Sequence, residues 1–366
     1  MKSIPRIETD RIVVIEAGGP NGVRNRCFNE DAIGKDYHGL AACYLYQQCI
    51  ARNIQLLTSD LYRELEKKSP KAILWQGSVA KKDLENGTRL IKEQKLRPAL
   101  LIGFEQPLYA CHFYWNLKKY TAQYEHTFMP GGARSSVSQK TNFRAWVSPQ
   151  PYALHEKVSG SFGAKKHLVM INGNTRIHPL KRMYVHIMQR LWPIPTLLDR
   201  ELYVDRLKAI DFFSRYGDFD LYGRGWNNPV LYTHDRYAES IRRSYRGETE
   251  DKLETLRRYK FSICFENAIF GGLVTEKIID SFFAGCVPVY WGAPDITDYV
   301  PKEAFIDFRE FKDFEELDAY LRAMDEATYN KYIDAINGFI QSKEGYYRFS
   351  KEKYAQDMIE LFESYF

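Results

Sequence analysis

The chain has 366 residues, 45% of them apolar and 15% aromatic, with a net charge of +5. That length suits two domains of roughly 100–200 residues each, and the apolar content excludes a disordered chain. The small positive balance gives no bulk-charge case for nucleic-acid binding.

From the N-terminus, MKSIPRIETDRIVVIEAGG has no long apolar stretch, so no signal peptide is expected. No apolar run reaches the ~18–20 residues that span a bilayer. Cys27, Cys43, Cys49, Cys111, Cys264 and Cys286 form no C-x-x-C pair, which suits free thiols in a reducing compartment. The expectation is a cytoplasmic protein, with peripheral contact to a membrane left open.

Short apolar runs at 11–17, 72–76, 99–104, 167–172, 219–223, 261–265, 287–291 and 304–308 read as strands. Helical periodicity occupies 203–215, 249–259, 276–284, 314–324 and 327–342. Such alternation predicts parallel sheets covered by helices on both faces. The segment 129–166 is rich in Gly, Ser, Pro and basic residues, and its later part holds the expected domain junction. The division is therefore 1–160, 161–345 and a terminal segment, 346–366. In that segment Tyr354, Met358, Leu361, Phe362 and Tyr365 fall at helical spacing. Asp357, Glu360 and Glu363 make its polar face acidic, which favours packing across the protein's own domains over a membrane surface. The basic clusters at 242–246 and 256–260 read as solvated helix faces.

Several local features carry chemistry. EAGGPNGVRNR (16–26) follows the first strand and is either a plain turn or a ligand cradle; it is not G-x-G-x-x-G. Glu105 follows the strand ALLIGF, at the strand end where ligands bind; by itself it is equally a cap or surface acid. YACHFYW (109–115) is either a sugar-stacking cluster or a buried helix, and Cys111–His112 lacks further ligands at zinc spacing. In DFD (218–220), Asp218 and Asp220 share one face of a strand, which reads as edge polarity and not as a metal site.

The densest signal is FSICFENAIFGGLVTEKIIDSFFAGCVPVYWG (261–292). A buried strand ends in Glu266–Asn267. Gly271 and Gly272 permit a tight turn. Thr275 is the expected N-cap, Glu276 and Lys277 the first helical residues, and Gly285 the closing residue. Ile278, Ile279, Phe282 and Phe283 form the apolar face, with Glu276, Lys277 and Asp280 opposite. Unpaired first-turn N–H groups and Lys277 welcome a phosphate, and Glu276 can accept from sugar hydroxyls. A nucleotide diphosphate sugar fits this combination. So does a plain dipole-favouring acid beside a solvated lysine.

This run resembles the α1,3/4-fucosyltransferases, glycosyltransferase family 10, whose pattern is a strand ending F-E-N, a loop, Y-[VI]-T-E-K, a helix and a P-[VI] strand. Here FEN is 265–267, VTEK 274–277 and VPVYWG 287–292, and 294–311 continues the pattern. HLVMINGN (167–174), YVDRLKAIDFFSRYGDFDLYGRGW (203–226) and GFEQPLY (103–109) are similar to upstream family segments. The likeness is strong over 166–311, weaker over 99–152 and slight over 1–98.

The resemblance implies an α/β GT-B fold, with two Rossmann-like domains whose parallel sheets face a central cleft and a C-terminal helix packing back. It implies single-displacement, inverting transfer of L-fucose from GDP-fucose to a glycan hydroxyl, O3 of an N-acetylglucosamine or similar unit, without an obligatory cofactor or metal. Glu105 would be the general base, its pKa raised by burial. Arg206 and Lys277 would hold the diphosphate, Glu276 would bind donor hydroxyls and Asn267 would line the nucleotide pocket. Gly223, Arg224 and Thr275 complete the implied donor set. Family members usually carry an aromatic residue where this chain has Leu273, which leaves a different GDP-linked sugar open as the donor. A non-catalytic nucleotide- or glycan-binding relative is the other alternative. The extra stretch 174–199 is a candidate acceptor or partner contact. The absence of an anchor is similar to bacterial relatives that build surface polysaccharides.

Overall fold

The computed structural model describes residues 9–33, 37–107, 109–153, 157–159, 161–175, 200–228 and 236–366, with isolated positions 180, 183, 184 and 187. Most of the extra stretch 174–199 thus lies outside the described residues. The chain divides into two compact units, Met1–Ala153 with Ile194–Leu197 and Tyr347–Phe366, and Leu154–Pro193 with Leu198–Tyr346.

The first unit is built on β1 (Ile12–Glu16), β2 (Gln55–Thr58), β3 (Ile73–Gln76), β4 (Arg97–Ile102), β5 (His126–Met129) and β6 (Asn142–Ala145). They form one sheet in the order β2-β1-β3-β4-β5-β6, parallel at every pairing. The chain runs from β1 to β2 on one side and from β3 outward on the other, so the topological switch lies between β1 and β3. Helices α1 (Tyr37–Ile50) and α2 (Lys81–Glu93) cover the sheet. The last helix, Lys351–Glu363, is capped by Ser350 Oγ, which accepts from the Lys353 amide at 3.1 Å. Its Tyr354, Met358 and Phe362 enter the same core as Val13, Leu45, Leu56 and Leu100.

The second unit contains β7 (Lys166–Ile171), β8 (Arg200–Glu201), α3 (Tyr203–Phe213), β9 (Phe219–Tyr222), α4 (Lys252–Arg257), β10 (Tyr259–Phe265), β11 (Ala268–Ile269), α5 (Glu276–Phe283), β12 (Val287–Trp291), β13 (Ile306–Asp307), α6 (Phe314–Ala323) and α7 (Glu326–Ile340). Its main sheet is also parallel, in the order β13-β12-β10-β7-β9. The short β8 and β11 form a separate antiparallel ladder. β10 is central and almost wholly buried, as its unbroken apolar run requires.

β2, β5, β6, α1 and α2 were not among the sequence-predicted elements. β6 falls inside the stretch expected to hold the junction. As an edge strand it presents mostly exposed residues, so it carries no apolar run to read.

Candidate active site

In the second unit the chain leaves β7 toward β9 on one side and β10 toward β12 on the other. The crevice outside the carboxyl ends of β7 and β10 is therefore the topological switch point, where open α/β sheets bind ligands. β10 ends there in Glu266 and Asn267, and α5 begins nearby. Gly285, at φ +62°, closes α5 in the left-handed conformation that favours glycine.

Thr275 occupies the N-cap position with extended backbone (φ −100°, ψ −174°), yet its side chain makes no capping bond. Its hydroxyl lies 2.9 and 2.8 Å from the two Glu266 carboxylate oxygens, and its amide donates to Glu266 Oε1 at 2.9 Å. Glu266 is fully buried. Lys277 Nζ donates to Glu266 Oε2 at 3.1 Å and to Thr275 Oγ1 at 2.9 Å, and lies 3.6 Å from Glu276 Oε1. So the lysine is not solvated: its side chain is 11% exposed.

One expectation is corrected here. Asp280 does not join a polar outer face of α5 but is fully buried, 2.5 Å from Lys252 Nζ of α4. An (i, i+4) neighbour of Glu276 faces whatever packs on that side, and here α4 packs there with a lysine. Lys252 also lies 3.7 Å from Glu276. Burial disfavours its charge, but the Asp280 and Glu276 carboxylates outweigh that and raise its pKa. The start of α5 thus collects the cations Arg206, Lys252 and Lys277 and the carboxylates Glu266, Glu276 and Asp280.

Arg206, on α3, is 4% exposed. Its guanidinium donates to the Phe265 carbonyl, through Nε at 3.1 Å and a terminal nitrogen at 2.5 Å, and to Asn267 Oδ1 at 2.8 Å. Burial pushes its pKa down, against the pull of Tyr203, Glu266 and Glu276. These bonds fasten α3 to the end of β10. The fold therefore brings Arg206, Asn267, Thr275, Glu276 and Lys277 to one place. Gly223 and Arg224 follow the end of β9, where Gly223 lies against Asn172. Gly223 has φ +132°, and a Cβ there would sit 2.0 Å from the Asn172 carbonyl oxygen, so only glycine fits. The Arg224 side chain is 88% exposed.

Two residues of this crevice escaped the sequence reading. Glu266 was read as a polar strand ending without a role. Asn172 follows β7, and the β7–β10 register extends to set it beside Phe265. It is 7% exposed, and its Nδ2 has no hydrogen-bond partner among the described residues. Its carbonyl accepts from Trp226 Nε1 at 2.6 Å. The available signal was a polar residue ending each of two apolar runs.

Leu273 is buried at 3% exposure, so this position packs inside the protein. In DFD, Asp218 takes two bonds from Arg322, at 2.8 and 3.1 Å. Asp220 accepts from Arg246 at 2.6 Å, Tyr259 at 2.7 Å and Lys166 at 3.1 Å. Both carboxylates are committed to ion pairs. All six cysteines are free thiols.

In the first unit, Glu105 lines a cleft of about 590 Å³ together with Ala17, Gly77, Phe104, Tyr109 and Trp146. Ala17 and Gly77 follow β1 and β3, so this cleft lies at that sheet's own switch point. The Tyr114 hydroxyl donates to the Glu105 carbonyl at 2.7 Å and fixes the loop. Phe113 and Tyr114 are buried and Tyr109 is exposed, so 109–115 is partly core and partly cleft wall. Glu105 itself is exposed, in the loop that follows β4.

Comparison with known proteins bears on both units. The family model described as "Glycosyltransferase family 10 (fucosyltransferase) C-term" matches residues 196–344. An alpha-(1,3)-fucosyltransferase, FucT, of Helicobacter pylori is 39% identical over 98 residues, 26% of this chain and 20% of that protein. The GDP-fucose protein O-fucosyltransferase 3 of Bos taurus is 30% identical over 172 residues, 46% of this chain and 33% of that protein. The chain thus spans about a fifth to a third of the curated relatives it matches. Among solved structures, Anabaena Alr3699/HepE in complex with UDP-glucose aligns over 96% of this chain and 99% of its own, with TM-score 0.58 and 13% identity. The fold, α/β with two parallel-sheet units, is the GT-B class. Over residues 196–344, from α3 through the crevice to α7, the chain resembles the family 10 fucosyltransferases.

Proposed function

We propose that the protein is an inverting fucosyltransferase that moves L-fucose from GDP-fucose to a glycan hydroxyl, O3 of an N-acetylglucosamine or similar unit. The observation that carries this reading is the convergence of Arg206, Asn267, Glu276 and Lys277 at the second unit's switch point, within the segment that matches family 10.

Here the first turn of α5, where Thr275 makes no capping bond, would present backbone N–H groups to a diphosphate. Lys277 and Arg206 offset the charge that grows on GDP as the glycosidic bond breaks. Lys277 is already flanked by two carboxylates, so its ammonium is ordered before the ligand arrives. Glu276 accepts from donor hydroxyls. In the first unit, Glu105 takes the proton of the acceptor hydroxyl as that oxygen attacks the anomeric carbon. The aromatic walls Phe104, Tyr109 and Trp146 suit a sugar ring. The Asp218 and Asp220 ion pairs support a reaction that uses no metal at DFD. We place this activity in the cytoplasm, on a soluble or membrane-peripheral protein that binds no nucleic acid.

A second reading, transfer of a different GDP-linked sugar, is favoured by Leu273, which presents no aromatic ring to the crevice. GDP release is the test, measured over a panel of GDP-sugars with chelator present. The acceptors are N-acetyllactosamine-type glycans and a serine/threonine peptide. Release from GDP-fucose with a glycan acceptor is expected. Release from another GDP-sugar alone moves the assignment to that donor. No release from any of them leaves a binding protein.

A further inference from the structure

The buried carboxylate of Glu266 has no part in the chemistry above, yet it touches Thr275 and Lys277 at the start of α5. It receives the Thr275 amide at 2.9 Å, the Thr275 hydroxyl at 2.9 and 2.8 Å and the Lys277 ammonium at 3.1 Å. It is fully buried and sits where the chain gives it room: a Cβ on Gly292 would lie 2.4 Å from Glu266 Cγ. Its backbone is held as well, since its amide donates to the Trp291 carbonyl at 2.7 Å. A carboxylate buried at such cost needs charged or polar partners, and Thr275 and Lys277 at the start of α5 supply them.

The consequence concerns the helix end. A threonine at an N-cap ordinarily turns its hydroxyl oxygen to the N–H groups of the first turn. Here Glu266 holds that hydroxyl instead, and Thr275 makes no capping bond. The donors that a cap would consume are left for another acceptor. The same carboxylate orders Lys277, which a third bond links to Thr275 Oγ1 at 2.9 Å. On the neighbouring strand end, Asn172 Nδ2 is buried without a partner among the described residues, which independently marks this crevice as built for a polar ligand.

We propose that Glu266 is a positioning residue for the diphosphate. It keeps Thr275 from capping α5 and sets Lys277 at the helix start, so that recognition of the second phosphate depends on it. This rests on the fucosyltransferase reading above.

The test compares GDP with GMP, which lacks the β-phosphate, by calorimetric titration of the full chain. Glu266→Asp preserves the charge and withdraws the carboxylate by one methylene, so it isolates reach from charge. We expect its preference for GDP over GMP to fall about tenfold, the size of one lost charge-assisted hydrogen bond, while GMP affinity stays within about twofold. Thr275→Val, nearly isosteric, removes the hydroxyl that Glu266 and Lys277 share. It is expected to lower the same ratio about threefold, and it carries the test if Glu266→Asp does not fold. Variants that fold with the wild-type ratio, or that weaken GDP and GMP equally, overturn the positioning role. A wild-type protein that does not prefer GDP to GMP instead overturns the fucosyltransferase reading beneath it.

Discussion

At the scale of single residues, the two units ask opposite things of their carboxylates. Glu105 stands exposed at a cleft wall, whereas Glu266 is sealed among donors. Lys277→Met removes the ammonium beside the α5 start. GDP affinity measured by calorimetry should drop by roughly ten- to a hundredfold, the range of a hydrogen bond to a charged group. Asp220 gives a pH signature. Burial raises its pKa, but the bonds from Tyr259, Lys166 and Arg246 outweigh that and hold it below the ordinary 3.8. A depressed carboxylate contributes stability that is present above its unfolded pKa and lost as pH falls through the folded one. Urea titrations from about pH 6 down to about pH 3, a span that crosses the ordinary carboxylate values, should show falling stability. Asp220→Asn should flatten part of that slope and cost about 1–3 kcal/mol at neutral pH.

The elements differ in how plainly the sequence declares them. β10 and α5 were legible because one is an unbroken apolar run and the other has a clean apolar face of Ile278, Ile279, Phe282 and Phe283, all buried. β2 and β5, at four residues each, are too short for periodicity to separate them from loop. α1 is apolar or small on several sides, with Ala41, Cys43, Leu45 and Cys49 buried, so no single stripe announces it. The site followed the same rule. Arg206, Lys277 and Glu276 stood out as candidates because motif and helix start coincide. The partners of Asp280 and Glu266 did not, because which side chains meet in a buried ion pair is set by how strand and helix ends pack, and leaves no periodic pattern in the sequence. Helix α7 offers an element-scale prediction. Asp325 Oδ1 accepts from the Thr328 amide at 2.8 Å as its N-cap. Asp325→Ala should destabilise the second unit by about 1 kcal/mol in thermal or urea melts, with GDP affinity unchanged.

On the scale of the whole chain, each unit is a parallel sheet with its own switch point, and each switch point coincides with a candidate site. The first unit is completed only by the end of the chain: Met358 and Phe362 of the last helix are fully buried in the core of strands formed some 250 residues earlier. Phe362→Ala should cost about 3–5 kcal/mol, read as an early loss of the first unit's melting transition. A change below about 1 kcal/mol would show that this helix is not part of that core.

The central claim is that Glu105 is the base and that GDP is held elsewhere, in the second unit. It is tested most directly by assaying Glu105→Gln for sugar transfer from GDP-fucose while titrating the same sample with GDP. The account predicts transfer reduced by about 10²- to 10⁴-fold, the usual contribution of a general base, with GDP affinity at the wild-type value. Transfer within a few-fold of wild type, or loss of GDP binding together with transfer, would contradict it.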